Sequence, residues 1–138
     1  MTTPSDLPPA PPPAATAAGT RFILVNTSHA GNVGAAARAM KVMGFSDLVL
    51  VQPRFADVLT RDETVAMASG ATDVLAAARS VGTLAEALDG ITWACATAMT
   101  PRDFGPPTTT PREHFAQLVA QQRAASAETA AQTGVAFL

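Results

Sequence analysis

Apolar residues in this chain fall into four short unbroken runs, "RFILV" (21–25), "DLVLV" (47–51), "ITWACATA" (91–98) and "GVAFL" (134–138). None alternates strictly with polar residues, so each reads as a strand covered on both faces, the state of strands in a parallel sheet. The segments between them carry apolar residues at helical spacing: 33–43, 61–79 with a break near "SGATD", 83–88, and 111 to about 130. Strand and helix in alternation predict an α/β fold, an open and mostly parallel sheet flanked by helices.

Local signals fix several boundaries. Asn32 is suited to cap the first helix and Gly44 to end it. Thr83 with Glu86 forms a capping-box pattern, and Pro111 fits a first helical turn. Residues 99–112 hold four prolines and a glycine, which predicts a long loop leaving the C-terminal end of the third strand. Ligands of open parallel sheets bind at that edge. The Ala/Gln-rich stretch 120–134 reads as a fraying helix end, and no internal repeat is present.

Composition narrows the class. With 138 residues, 48% hydrophobic and 14% charged, the chain suits one globular domain, 20–138. Residues 1–19 contain six prolines and no basic residue, and are read as a disordered Pro/Ala-rich arm rather than a secretory signal. No apolar stretch is long enough to span a bilayer, and a single cysteine, Cys95, forms no internal disulfide, so a cytoplasmic protein is expected. A net charge of −2 excludes a broad basic face; any RNA contact must be local or shared with a second subunit.

Candidate chemistry concentrates in "NTSHAGNVGAAARAMKVMGF" (26–45). Glycines at 31 and 34, between a strand and a helix start, can bring backbone amides to an anion. The "GNVG" spacing is neither a dinucleotide fingerprint nor a Walker loop. Arg38 lies one turn beyond Gly34, whose missing side chain would let the guanidinium lie across it toward the strand edge. Lys41 extends this cationic stripe, while Ala37 and Met40 face the core. On spacing alone, the favoured readings are Arg38 as a surface or ion-paired arginine, Asn32 as a helix cap, and His29 as a hydrogen-bonding loop residue.

The string "FILVNTSHAGNVGAAARAMKVMGFSDLVLVQP" closely resembles the first motif region of the SpoU/TrmH class of SPOUT RNA 2'-O-methyltransferases, in particular its TrmJ-like branch. "AMASGATDVL", "VGTLAEALDG" and "ATAMTPRDFGPP" are similar to the same branch, and the likeness runs from Arg21 to Leu138. It implies a dimeric enzyme with a deep trefoil knot that binds S-adenosylmethionine and methylates a ribose 2'-hydroxyl of tRNA, without a metal. By position it places Arg38 and Asn32 in the catalytic centre and Thr97, Ala98 and Met99 at the cofactor; His29, Gly34 and Lys41 are assigned to RNA. Ala96, where relatives often carry glycine, and Met99 depart from the usual pattern.

In that family the strand matching "GVAFL" leads into a glycine-rich loop with a glutamate and then the knot-forming segment, whereas this sequence stops at Leu138. A chain lacking the knot segment is expected to bind cofactor poorly, to be impaired or inactive alone, and to aggregate through exposed apolar surface. The alternatives are a noncatalytic RNA-binding or dimerising remnant and a small nucleotide-binding α/β module.

Overall fold

The computed structural model describes residues 19–98, 100 and 103–124, and the backbone of 135–137. Five strands form one sheet: β1 (Thr20–Val25), β2 (Asp47–Val51), β3 (Arg79–Val81), β4 (Trp93–Cys95) and β5 (Val135–Phe137). Their spatial order is β3-β2-β1-β5-β4, and every pairing is parallel. Five helices accompany them: α1 (Ala30–Met43), α2 (Asp62–Ala68), α3 (Thr72–Ala77), α4 (Leu84–Ala87) and α5 (Pro111–Ala124).

The unbroken run "DLVLV" is explained by where its residues go. Leu48 and Leu50 join a core with Val33, Ala37 and Met40 of α1, Ala68 of α2, and Val74 and Leu75 of α3. Val49 and Val51 point the other way, packing with Ile23 and Ala87 against Val81, Leu88 and Ile91. Both faces of β2 are covered from Leu48 to Val51, so no polar position is tolerated there. At the N-terminal edge, Arg21 Nε donates to Asp47 Oδ2 at 2.8 Å and Arg79 Nη1 to Asp47 Oδ1 at 3.3 Å, so one carboxylate bridges three adjacent strands.

Most boundaries follow the sequence signals. Gly44 takes φ 83°, the left-handed conformation that stops α1, and the Phe45 amide returns to the Met40 carbonyl at 2.8 Å. The break near "SGATD" separates α2 from α3. Thr83 Oγ1 accepts from the Glu86 amide, the expected capping box.

Four expectations are corrected. The first helix starts at Ala30, not near 33, because the loop after β1 is only four residues long. Strand β3 was not anticipated: "RSV" is too short and polar to signal a strand, and among the described residues it pairs only with β2. The run 91–98 yields a strand of three residues, since β4 is an edge strand with Ala94 exposed. A second capping box at the start of α5 went unread: Thr110 Oγ1 donates to Glu113 Oε2 at 2.9 Å and Thr110 N donates at 3.3 Å. These bonds hold the Glu113 carboxyl below its ordinary pKa. Apart from Gly19, the proline-rich arm lies outside the described residues, as does the Ala/Gln-rich stretch beyond Ala124. No described helix is long and apolar enough to cross a membrane.

Candidate functional site

All five strands run the same way, so their C-terminal ends share one edge, and the order turns back between β1 and β5. Open parallel sheets bind ligands at such a switch point. Here the chain leaves β1 and β2 through two non-glycine residues with positive φ, Asn26 (51°) and Gln52 (43°). Each donates one more bond to the neighbouring strand, Asn26 N to Val51 O at 2.8 Å and Gln52 N to Val81 O at 3.1 Å. The left-handed conformation at such residues costs about 1 kcal/mol or more, and it turns the following loop out of the sheet.

His29 is the N-cap of α1, extended (φ −113°, ψ 121°) and exposed, with no side-chain capping bond. Asn32 is therefore not the cap: it sits in the first turn, exposed, its amide bonded to the His29 carbonyl at 3.1 Å. The cradle expected at Gly31 already has an anion beside it, since a Cβ there would meet Glu63 Oε1 at 3.0 Å. A carboxylate near a helix N-terminus is favourably placed.

Gly34 has a different reason to be glycine. A Cβ at this position would stand 2.1 Å from the Thr64 carbonyl oxygen, 2.9 Å from Met67 Cβ and 3.0 Å from the Ala68 nitrogen. The empty side is filled by the backbone of α2, which leaves Arg38 no path across it toward the strand edge. Thr64, fully buried, sits at the same contact: its hydroxyl donates mainly to the Val58 carbonyl at 2.5 Å and lies 3.2 Å from the Ala30 carbonyl of α1. Gly34 is a helix-packing residue, buried and out of reach of a ligand's surface.

Lys41 is committed as well. Its ammonium pairs with Asp73 of α3, and that hydrogen bond holds the Asp73 carboxyl below the ordinary aspartate range. Ala37 and Met40 do face the core.

Arg38 lies on the solvent side of α1, about 12 Å along the axis from Ala30 at 1.5 Å per residue. It forms no ion pair among the described residues. Six exposed positions, Asn32, Ala35, Arg38, Ala39, Val42 and Met43, recur at three- and four-residue intervals and form a strip on α1 with one amide and one cation, the exposed Lys41, paired with Asp73, lying at its flank. Arg38 lines a shallow hollow of about 340 Å³ with Ala35, Ala39, Val42, Met43 and Met67 of α2. His29, Asn32, Thr97 and Ala98 are not in that hollow. Asn32 and Arg38 are both exposed on α1, six residues and so roughly 120° around and about 9 Å along the helix from one another, whereas Thr97 and Ala98 belong to the loop after β4 at the strand edge, both exposed. Met99 lies outside the described residues.

One cluster was missed by the sequence reading. In the loop after β2, the Arg61 guanidinium carbon sits 3.7 Å from the centroid of the Phe55 ring, and that of Arg54 5.1 Å. "PRFADVLTR" carries the residues openly, but a contact between 54, 55 and 61 depends on how the loop curls through the short 3-10 turn Val58–Thr60.

Residues 19–123 match the SpoU rRNA Methylase family. The tRNA (cytidine/uridine/adenosine-2'-O-)-methyltransferase TrmJ of Pseudomonas aeruginosa is 54% identical over 93 residues, 67% of this chain and 35% of that protein. The tRNA (cytidine/uridine-2'-O-)-methyltransferase TrmJ of Salmonella typhimurium is 43% identical over 101 residues, 73% of this chain and 40% of that one. The chain thus spans little more than a third of these relatives' length. Among solved structures, a probable methyltransferase from Bordetella pertussis superposes with TM-score 0.74 at 44% identity, covering 87% of this chain and 68% of its own. TrmJ from Z. mobilis gives TM-score 0.70 at 36% identity, covering 86% and 48%.

Proposed function

The chain belongs to the SpoU rRNA Methylase family, and from that premise we propose that it supplies the arginine-bearing part of an S-adenosylmethionine-dependent tRNA ribose 2'-O-methyltransferase that works as a homodimer in the cytoplasm. The observation that carries the reading is Arg38, a cation without a carboxylate partner among the described residues, lining an otherwise apolar hollow. A guanidinium left unpaired by the described residues is available to an anionic substrate.

Bound S-adenosylmethionine would supply a sulfonium methyl group open to in-line attack by a ribose hydroxyl. The exposed loop of Ala96, Thr97 and Ala98 fits one wall of its pocket: two alanines leave the main-chain N–H and C=O groups accessible at the strand edge. Arg38 offers N–H donors and no acceptor, so it is not the base. Its role is to clamp a substrate phosphate and stabilise charge developing on the ribose oxygen, through N–H donors already oriented in a fixed fork. Asn32, exposed in the first turn of the same helix, offers an amide to hold the ribose in line.

The dimer follows from the same face. Val42 and Met43 are 78% and 70% exposed beside Arg38, an apolar surface that a second copy would cover. That copy would also bring its strand-edge loops toward Arg38, which stands well down the helix from those of its own chain.

Methyl transfer from radiolabelled S-adenosylmethionine to tRNA transcripts, by a protein that carries this chain and spans the relatives' full length, tests the proposal. Arg38→Ala should lower turnover at least 100-fold, the scale of one lost transition-state donor, with the urea midpoint unchanged. Arg38→Lys should recover only part of it, since an ammonium lacks the fork. Undiminished methylation by Arg38→Ala overturns the assignment.

A further inference from the structure

The loop that follows β2 carries a cation that the site above does not use. Arg54 and Arg61 share the Phe55 ring, yet only one of them is neutralised. Arg61 Nε donates to Asp57 Oδ1 at 2.9 Å, and this bond holds the Asp57 carboxyl below its usual pKa. Arg54 is exposed and has no carboxylate partner among the described residues.

Its main chain is fixed, however. The Arg54 amide donates to the Thr27 carbonyl at 3.1 Å, tying the loop to the one that leads from β1 into α1. Gln52, two residues earlier, and Asn26, one residue before Thr27, are the strained positions of this edge. Strained backbone persists only where surrounding structure enforces it, and it gathers at functional sites. Phe55 is partly buried against the core, so its ring is a fixed platform rather than a free base-stacking surface. An arginine lying on such a ring surrenders rotamer freedom before binding and keeps its N–H edge free for an anion.

We propose that Arg54, held against Phe55 at the C-terminal edge of the sheet, is a contact for a backbone phosphate of RNA. The inference rests on the RNA-modifying reading above, which names the polyanion, but concerns a residue outside the Arg38 face. The rim it defines, with exposed His29 on the neighbouring loop, is the approach by which a polynucleotide reaches the strand edge. Because the chain is net acidic, a single uncompensated cation there contributes disproportionately to placement.

Binding of a fluorescein-labelled tRNA transcript to the full chain, measured by anisotropy from about 50 to about 200 mM salt, tests this. Arg54→Ala should weaken binding roughly 3- to 10-fold and reduce the slope of log K against log salt by about 0.7 to 0.9, one phosphate contact. Phe55→Leu keeps the charge and loses the platform, so it should weaken binding less and leave the slope unchanged. Arg79→Ala removes a cation already paired with Asp47 at the opposite edge and should bind as the parent does. Arg54 is exposed, so its variant should keep the parent's urea midpoint, which is measured alongside. Equal affinity and slope for Arg54→Ala and the parent, an equal loss in Arg79→Ala, or no binding by the parent chain overturns the proposal. Methyl transfer is a separate readout: its failure with Arg54-dependent binding intact sinks the methyltransferase reading and leaves this one standing.

Discussion

Substituting Gly34 by alanine adds one methyl group to α1, and its effect is set by a backbone rather than a side chain. The new Cβ would lie 2.1 Å from the Thr64 carbonyl oxygen, where close C···O contacts in proteins begin near 3.3 Å. The two helices would have to part by about 1 Å, because Thr64 is inside α2 and cannot turn its carbonyl aside. Overpacking of this kind costs about 1–3 kcal/mol, and α1–α2 separation also weakens the 3.2 Å contact of the buried Thr64 hydroxyl with the Ala30 carbonyl, secondary to its bond with Val58, adding at most about 1 kcal/mol. Against this stands the gain of about 1 kcal/mol for replacing glycine by alanine inside a helix. The net expectation is a loss of about 1–3 kcal/mol. Gly31 is the internal control: a Cβ there meets the end of the Glu63 side chain, which can move, so Gly31→Ala should be neutral or slightly stabilising. Urea unfolding followed by circular dichroism reads both, as a shift in midpoint at constant slope. If Gly34→Ala were as stable as the parent, the close packing of α1 on α2 would be wrong, and the motif glycine would need a ligand-based explanation after all.

Two further outcomes follow from the surface. Replacing Val42 and Met43 by serine should leave the monomer's urea midpoint within about 0.5 kcal/mol of the parent's, since both are exposed, while shifting self-association in sedimentation velocity toward monomer; an unchanged association state would remove α1 from the dimer contact. The Asp57, Asp73 and Glu113 carboxyls have folded pKa values below their unfolded ones, so the unfolded chain binds more protons as acid is added. Their stabilisation is complete above the unfolded carboxylate range, about 4, and is lost as pH falls through the lower folded values. Asp73→Asn, with Lys41 left unpaired, should therefore show a shallower fall of stability below about pH 4 than the parent. A parallel acid limb would deny the Lys41–Asp73 contact any role in solution.

What the sequence determined on its own is whatever depends on neighbours in the chain. The unbroken run "DLVLV" required two covered faces, Gly44 supplied the left-handed stop, and Thr83 with Glu86 closed a cap, because burial pattern, φ preference and capping bonds act within a few residues. The motif from Ser28 to Met43 carried the family in the same local way. Distances between segments were decided only by folding. Gly34 and Arg38 are one turn apart in sequence, but α2 packs over the first and leaves the second in solvent, so the pair reads as one anion site until Thr64 is put in place. Lys41 is matched to Asp73 and Arg54 to the Phe55 platform by loops whose curvature no periodicity encodes. Charge in a sequence is a count, and which cations remain free to meet a polyanion depends on which carboxylates the tertiary structure brings beside them.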